Sequence, residues 1–195
     1  MRSIGLAAAV GLALFAPAPS AGAAPQRLTL DPDGTAISFT LGATLHSVEG
    51  ELRLSGGEIR FDPDTGAAAG ELVVDATSAR TGMGSRDRNM HRDVLESERY
   101  PRIVFRAARL RVVRREARSA EIELAGVLDM HGQQRPLVLP ARLAAMGDRV
   151  AIETSFRVPY LDWGMQDQST LILRVDRYVD VTVRAEGRVA PVERE

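Results

Sequence analysis

Apolar and polar residues alternate along most of the chain after residue 24. Ile37, Phe39 and Leu41 would share one face of a strand, and the same period of two recurs further along. The other alternating segments are 46–54, 70–76, 102–113, 122–130, 137–145, 150–158 and 179–186. This alternation predicts half-buried strands. The connections are too short for helical crossovers, so about eight strands should form an antiparallel sheet.

Glycine and proline mark the predicted turns between strands. Gly56-Gly57 is typical of a hairpin, and Asp62-Pro-Asp-Thr-Gly66 is typical of a tight turn. Eight antiparallel strands can stack as a sandwich or close as a barrel, and periodicity leaves both open. Closure would remove the sheet edges and enclose a space for one small ligand. An outer-membrane barrel would need aromatic girdles, whereas aromatic residues are only 5% of the chain.

One insertion interrupts the strand pattern, from Thr77 to Pro101. It contains a glycine-broken loop followed by a short amphipathic segment. Ser85 is a suitable N-cap, Asp87 suits the first turn of a helix, and Met90 and Val94 lie four residues apart on one face. The proline that closes the segment is expected to stop the helix. The insertion predicts a helical lid or plug at one end of a barrel.

Composition limits the possible partners. The chain has 195 residues, a net charge of -1 and no cysteine, which fits one domain held by its core and gives no support for a nucleic-acid partner. All 25 basic residues are arginine. Strand periodicity places Arg102 and Arg106 on one face and Arg109 and Arg111 on the other. Only part of this set could then converge on an anionic head group or an anionic lipid surface.

The first 23 residues are typical of a secretory signal peptide. Arg2 supplies the basic start, Ile4 to Ala16 is an apolar run too short to span a bilayer, and Ala21-Gly22-Ala23 fits a cleavage site. We therefore expect export, cleavage near Ala23 and a mature domain over residues 24–195.

Signs of catalysis or metal binding are weak. His91-Arg92-Asp93 copies part of a kinase loop, but the chain has no lysine to hold nucleotide phosphates. His46, His91 and His131 stand in separate elements without the short spacing of a zinc site. We expect no catalytic residue, metal or cofactor. An enzyme whose carboxylates converge only in the fold remains an alternative.

Four stretches, in the same order and spacing, make the chain resemble the YceI-like family from about Leu28 to Gly187. This family comprises exported bacterial lipocalin-like barrels associated with binding polyisoprenoid lipids. The first stretch comprises residues 37–41 and 46–50, and the second runs from Thr81-Gly82 through Tyr100-Pro101 to Phe105. The third comprises residues 126–132 with Val138 and Pro140. The fourth comprises Asp162-Trp-Gly-Met165, residues 171–175 and a valine-rich last strand. Leu28 and Leu30 replace a common aromatic residue, and Gln168 replaces an expected proline. These departures would change the bottom or the mouth of the cavity, and therefore which lipid binds.

The resemblance implies an all-β fold: an antiparallel eight-stranded lipocalin-like barrel with one short lid helix in an insertion. It implies an elongated apolar tunnel that binds a long lipid, a polyisoprenoid or an isoprenoid quinone, for non-catalytic carriage or storage in the periplasm. The candidate tunnel walls are Ile37, Phe39, His46, Val48, Leu52, Leu124, Leu128, Phe156 and Trp163. The candidate lid and head-group residues are Arg86, Asp87, Met90, His91 and Val94.

Several alternatives stay open at this stage. His46 could be a buried neutral histidine or a polar contact for a lipid head group. The protein could make transient contact with a membrane surface or form a homodimer. It could also be a stress-related structural or interaction barrel, filled by its own side chains and without lipid.

Overall fold

The computed structural model describes residues 24–44, 46–146, 148–169 and 174–192. The predicted signal peptide, residues 1–23, lies outside the described residues, and so do positions 171–173 of the C-terminal motif. Within the described residues, no helix is both long enough and apolar enough to cross a membrane.

Nine antiparallel strands and one helical insertion make up the described residues. The strands are β1 (Gln26–Leu30), β2 (Ala36–Ala43), β3 (Val48–Phe61), β4 (Ala67–Arg80), β5 (Arg102–Arg115), β6 (Ser119–Met130), β7 (Gln133–Met146), β8 (Arg149–Val158) and β9 (Val175–Pro191). Between β4 and β5 lie α1 (Gly84–Asn89) and a π-helical turn (Met90–Val94). A 3-10 turn (Tyr160–Trp163) follows β8.

The sheet closes into the eight-stranded barrel expected from the sequence. Strands β3 to β9 pair in chain order, and the last of them pairs with both β1 and β2. β1 and β2 lie end to end between β3 and β9, so the nine strands occupy eight positions. Such closure leaves no continuous sheet edge. The ends of β2, β4, β6 and β8 meet at the lid end, and the opposite end is called the far end.

The hairpin predicted at Gly56-Gly57 is wrong. β3 runs without a break through both glycines, and its register with β4 shifts between Leu54 and Gly56. Gly56 has a φ of 150°, so it permits a bulge that bends the strand instead of reversing it. The turn predicted at residues 62–66 is present, because Asp62 Oδ1 accepts the N–H groups of Asp64 and Thr65 at 2.8 and 3.0 Å.

The insertion forms a helix, but its ends differ from the prediction. The N-cap is Met83, which makes no side-chain capping bond, and Ser85 lies inside the first turn. The helix ends at Val94, well before Pro101, because Glu96 turns the backbone into the left-handed region with a φ of 43°. The proline is therefore not what stops the helix.

The predicted division of arginines between the faces of β5 is also wrong. The register with β6 shifts between Ala107 and Arg109, so one residue is skipped in the alternation. Arg106, Arg109 and Arg111 therefore face outward together, opposite the outward side chains of β6.

Candidate functional site: an apolar cavity inside the barrel

The buried side chains form two separate clusters instead of one filled core. One lies toward the lid end around Phe105, Leu128 and Trp163, and the other lies toward the far end around Leu30 and Ile37. A cavity of about 600 Å³ connects the two regions. This volume is within the range of about 300–1,000 Å³ that is usual for ligand pockets. The interior is therefore not solidly filled by protein atoms.

The cavity is long and mainly aliphatic. On β9 its lining runs from Val175 to Ala185, which corresponds to roughly 25 Å along the axis of a tilted barrel. Aliphatic side chains from all eight strand positions form most of the wall: Leu28, Leu30, Leu41, Leu54, Ile59, Leu72, Val74, Ile103, Ile122, Leu139, Ile152, Val158, Val179, Val181 and Val183. Such a wall offers a hydrocarbon chain dispersion contacts and almost no hydrogen bonds.

Most of the wall residues inferred from periodicity do line the cavity. The structure places eight of the nine candidates there: Ile37, Phe39, His46, Val48, Leu52, Leu124, Leu128 and Phe156. They converge because each points to the inner face of its strand. His46, however, precedes β3 instead of lying within it, and its side chain is exposed. The expected buried histidine is therefore wrong, and His46 lies at the mouth of the cavity.

Trp163 is buried but does not line the cavity. It is only 2% exposed and packs in the core cluster at the lid end. Its indole N–H donates to the Leu128 carbonyl at 3.4 Å, and the Arg135 guanidinium lies 5.9 Å from its ring centroid. Its cluster includes the inward-facing Phe105 and Leu128, so Trp163 packs inside the lid end of the barrel without reaching the cavity surface.

Two glycines keep aromatic rings close to the wall. A Cβ on Gly50 would lie 2.2 Å from Phe39 Cζ, and a Cβ on Gly126 would lie 2.7 Å from Phe105 Cζ. Each ring therefore lies directly over the glycine of the neighbouring strand. Because the rings lie flat on the sheet instead of crossing the barrel, the lumen stays open.

The lid helix presents an apolar stripe to the cavity. Met90 and Val94 line it as their spacing suggested, and Leu95 lies beside them. Arg86 also lines the cavity, whereas Asp87 and His91 do not. The lid thus closes over the lumen with aliphatic side chains and brings one cation to its rim.

A hydrogen-bonded network fixes the start of the lid. The Thr81 hydroxyl donates to Asp87 Oδ1 at 2.5 Å and accepts from Arg86 Nε at 2.8 Å, while Arg86 Nη2 donates to the Thr81 carbonyl at 3.0 Å. The Thr81 hydroxyl, supported by its backbone N–H and by the charge of Arg86, lowers the pKa of Asp87 against the opposing effect of burial. Asp87 therefore stays ionised and positions Arg86 through Thr81.

His91 fastens the lid to the barrel wall. Its Nε2 donates to the Ala79 carbonyl at 2.8 Å, and its Nδ1 lies 2.8 Å from Ser97 Oγ. Both ring nitrogens are therefore used within the protein, and the side chain is not available to a ligand in this position. The expected head-group contact at His91 does not fit this geometry.

The end of the lid is anchored to the β6–β7 turn. His131 Nε2 lies 3.2 Å from Glu96 Oε1 without forming a hydrogen bond to it. His131 Nδ1 donates to the Trp163 carbonyl at 3.1 Å, and the rings of His131 and Tyr100 lie 4.6 Å apart. Glu96 and His131 are the two non-glycine residues with positive φ in the described part of the chain.

Polar lining groups concentrate at the lid end. They are His46, Thr81, Ser85, Arg86, Asn89, Tyr160 and Gln168, while Thr35 and Thr154 lie deeper. Burial raises the pKa of the Tyr160 phenol, so this group stays protonated. The sequence pattern did not indicate Thr81, Asn89 and Tyr160 as lining residues. Spacing from Arg86 on a helix could have indicated Asn89, whereas Tyr160 depends on a 3-10 turn that has no clear periodic signal.

Together, these features define a closed antiparallel barrel with a long apolar cavity, a helical lid and a polar mouth, which is the lipocalin-like class of barrel. The YceI-like domain model matches residues 28–187. The chain therefore belongs to the YceI-like family.

Known relatives agree with this assignment. A UPF0312 protein of Vibrio cholerae serotype O1 is 27% identical over 190 residues, which cover 92% of this chain and 95% of that protein. Burkholderia cenocepacia BcnA superposes with a TM-score of 0.68 at 15% identity, over 80% of this chain and 98% of that one. A polyisoprenoid binding domain from Saccharophagus degradans, implicated in plant cell wall breakdown, gives a TM-score of 0.65 at 15% identity, over 84% of this chain and 98% of that one. These two structures show the shared fold.

Proposed function

We propose that the protein binds one long apolar lipid, a polyisoprenoid or an isoprenoid quinone, inside the barrel and carries or stores it in the periplasm. The observation that carries this proposal is the continuous aliphatic cavity of about 600 Å³ with polar groups gathered at one end. The structural neighbour from Saccharophagus degradans, described as a polyisoprenoid binding domain, supports the same class of ligand.

Lipid specificity would come from the tunnel shape and the mouth. Each methylene removed from water contributes about 0.8 kcal/mol, but this term nearly cancels when the lipid leaves a bilayer for an equally apolar tunnel. The side chains that distinguish one lipid from another are then those that set the lumen width and those that meet the head group. Phe39 and Phe105 serve the first role, and Arg86 and Asn89 serve the second.

The mouth favours a head group with hydrogen-bond acceptors and little charge. Arg86 is the one arginine that lines the cavity among the described residues, and Asp87 balances its charge through the shared Thr81 hydroxyl. The amides of Asn89 and Gln168 add neutral donors. A quinone carbonyl matches this set better than a diphosphate, which would call for several unbalanced cations.

No catalytic role is proposed for the cavity. Its lining contains few titratable groups, and they lie at the mouth, away from the tail-binding wall. A structural or interaction barrel without lipid is the second candidate function. The open lumen argues against it, because a barrel with that role could fill its interior with its own side chains.

Transfer between vesicles tests carriage. Donor vesicles containing an isoprenoid quinone and acceptor vesicles without it are incubated with the protein, separated and extracted. We expect quinone in the acceptors at a rate proportional to protein concentration, recovered chemically unchanged. A rate equal to the protein-free background would contradict carriage, and a modified lipid would indicate an enzyme. N-terminal sequencing of the secreted form tests the proposed export, with Ala24 as the expected first residue.

A further inference from the structure

The hairpin of β5 and β6 reaches beyond β4 at the far end. β4 begins opposite Arg109, so residues 110–115 of β5 have lost their β4 partner except for one bond from Leu110 N–H to the Gly66 carbonyl at 2.8 Å. These residues remain paired with β6, which in turn pairs with β7 up to Ala144. We call the projection formed by residues 109–121 and Ala144–Met146 the far-end tip.

The far-end tip is strongly basic in a chain that is nearly neutral. The tip contains five arginines and two glutamates, a net charge of +3, whereas the whole chain has a net charge of -1. Glu123 pairs with Arg111 at 2.6 Å, but Arg109, Arg115 and Arg118 have no carboxylate within ion-pair distance in the described part of the chain. Three guanidinium groups are therefore available to an anionic partner.

Apolar side chains are exposed among these arginines. Six large hydrophobic residues are exposed in the described part of the chain, and three of them, Val112, Val113 and Met146, belong to the tip. The turn between β5 and β6 lies beside the end of β7, because Ala145 N–H donates to the Arg118 carbonyl at 2.8 Å. Exposed aliphatic groups surrounded by unpaired cations suit the boundary between lipid head groups and acyl chains.

The register shows that the cations surround the tip instead of lining one wall. Arg109 pairs opposite Ala125 and faces outward, whereas Arg115 pairs opposite Ala120, on the side of the inward-facing Ile122. A partner that contacted one outer face of the sheet would reach only part of this set. A planar anionic surface that meets the tip faces cations from both sides of the sheet.

We propose that the far-end tip docks the barrel on an anionic phospholipid surface. Arg109, Arg115 and Arg118 bind lipid phosphates, and Val113 and Met146 enter the interface. The choice of a membrane over an acidic protein rests on the proposed function, because a carrier of membrane lipid must meet a bilayer. The end that docks is opposite the lid, so docking leaves the mouth of the cavity uncovered.

Vesicle co-sedimentation with the full chain tests the proposal. The vesicles contain phosphatidylcholine and phosphatidylglycerol in a three-to-one ratio and no isoprenoid lipid, so the outcome is independent of cargo binding. The tip variant is R109Q/R115Q/R118Q. The control R53Q/R88Q/R102Q removes the same charge from three exposed arginines elsewhere, which also have no carboxylate within ion-pair distance in the described residues.

We expect wild type to sediment with the anionic vesicles and to be released by added salt. Each tip arginine should contribute about 5-fold, so the triple variant should bind about 100-fold more weakly, while the control stays within about 3-fold of wild type. Equal losses in both variants, or no binding of wild type to anionic vesicles, would overturn the proposal. Thermal melting of each variant checks that it is folded.

Discussion

Placing one tryptophan in the cavity distinguishes an open lumen from a packed core. Ala141 lines the cavity on β7, directly beside Ile122 on β6 and Thr154 on β8. The substitution Ala141→Trp would place an indole ring across the lumen. Val138 lies on the same strand but is exposed on the outer face, with 51% of its surface accessible, so Val138→Trp is the matched control.

The expected change in stability follows from the space available. In a filled interior, the added ring would cost about 1–3 kcal/mol through overpacking. In an open cavity the ring buries about 150 Å² of its own apolar surface instead, which contributes up to about 4 kcal/mol. We therefore expect the free energy of unfolding of Ala141→Trp to equal or exceed that of wild type.

The expected change in binding follows from the carbon atoms that the ring displaces. If the indole excludes about four methylene or methyl groups of the tail, the loss is about 3 kcal/mol, or about 200-fold in affinity. Titration calorimetry with geranylgeraniol, an isoprenoid alcohol, measures this loss from aqueous solution, where the apolar term does not cancel. Urea denaturation measures stability in the same samples.

Two results would refute this reasoning. The first is a destabilised Ala141→Trp variant that binds the probe as tightly as wild type, because that would mean a packed core and a binding site elsewhere. The second is an equal loss of affinity in Val138→Trp, because the outer face is not in contact with the cavity.

Two further predictions concern the lid and the wall. Thr81→Val removes the hydroxyl that lowers the pKa of Asp87, so this pKa should rise. The ionised Asp87 stabilises the wild-type fold, and this stabilisation is lost as pH falls below about 4; the variant should lose less of it. An unchanged titration of the Asp87 carboxyl by NMR would contradict the proposed network. Gly126→Ala should destabilise the barrel by more than about 2 kcal/mol, since its Cβ would lie 2.1 Å from the Arg106 carbonyl oxygen and 2.7 Å from Phe105 Cζ. An unchanged urea midpoint would show that the strand shifts freely.

Strand periodicity predicted most of the fold because the inward faces are mainly apolar. Ile37, Leu124 and Phe156 could be assigned to the lumen on that pattern alone, and the structure places them there. Trp163 was expected in the same wall, but it does not line the cavity. Its position depends on a 3-10 turn, and strand periodicity does not describe such a turn.

Bulges account for the other differences. A skipped residue near Arg109 brings Arg106 and Arg111 to the same face, and a bulge at Gly56 continues a strand where two glycines suggested a hairpin. An alternating pattern alone does not show where a bulge inserts an extra residue and reverses which residues face inward. β1 was not predicted because it has only five residues, and its pairing with both β3 and β9 stabilises it only in the closed barrel.

The most direct test of the central claim is native mass spectrometry of the protein purified from its own host without detergent, followed by organic extraction. We predict a complex of one protein with one lipid, and an extract that contains an isoprenoid chain. A homogeneous mass equal to that of the protein alone, together with failure to take up an added isoprenoid quinone, would contradict the account.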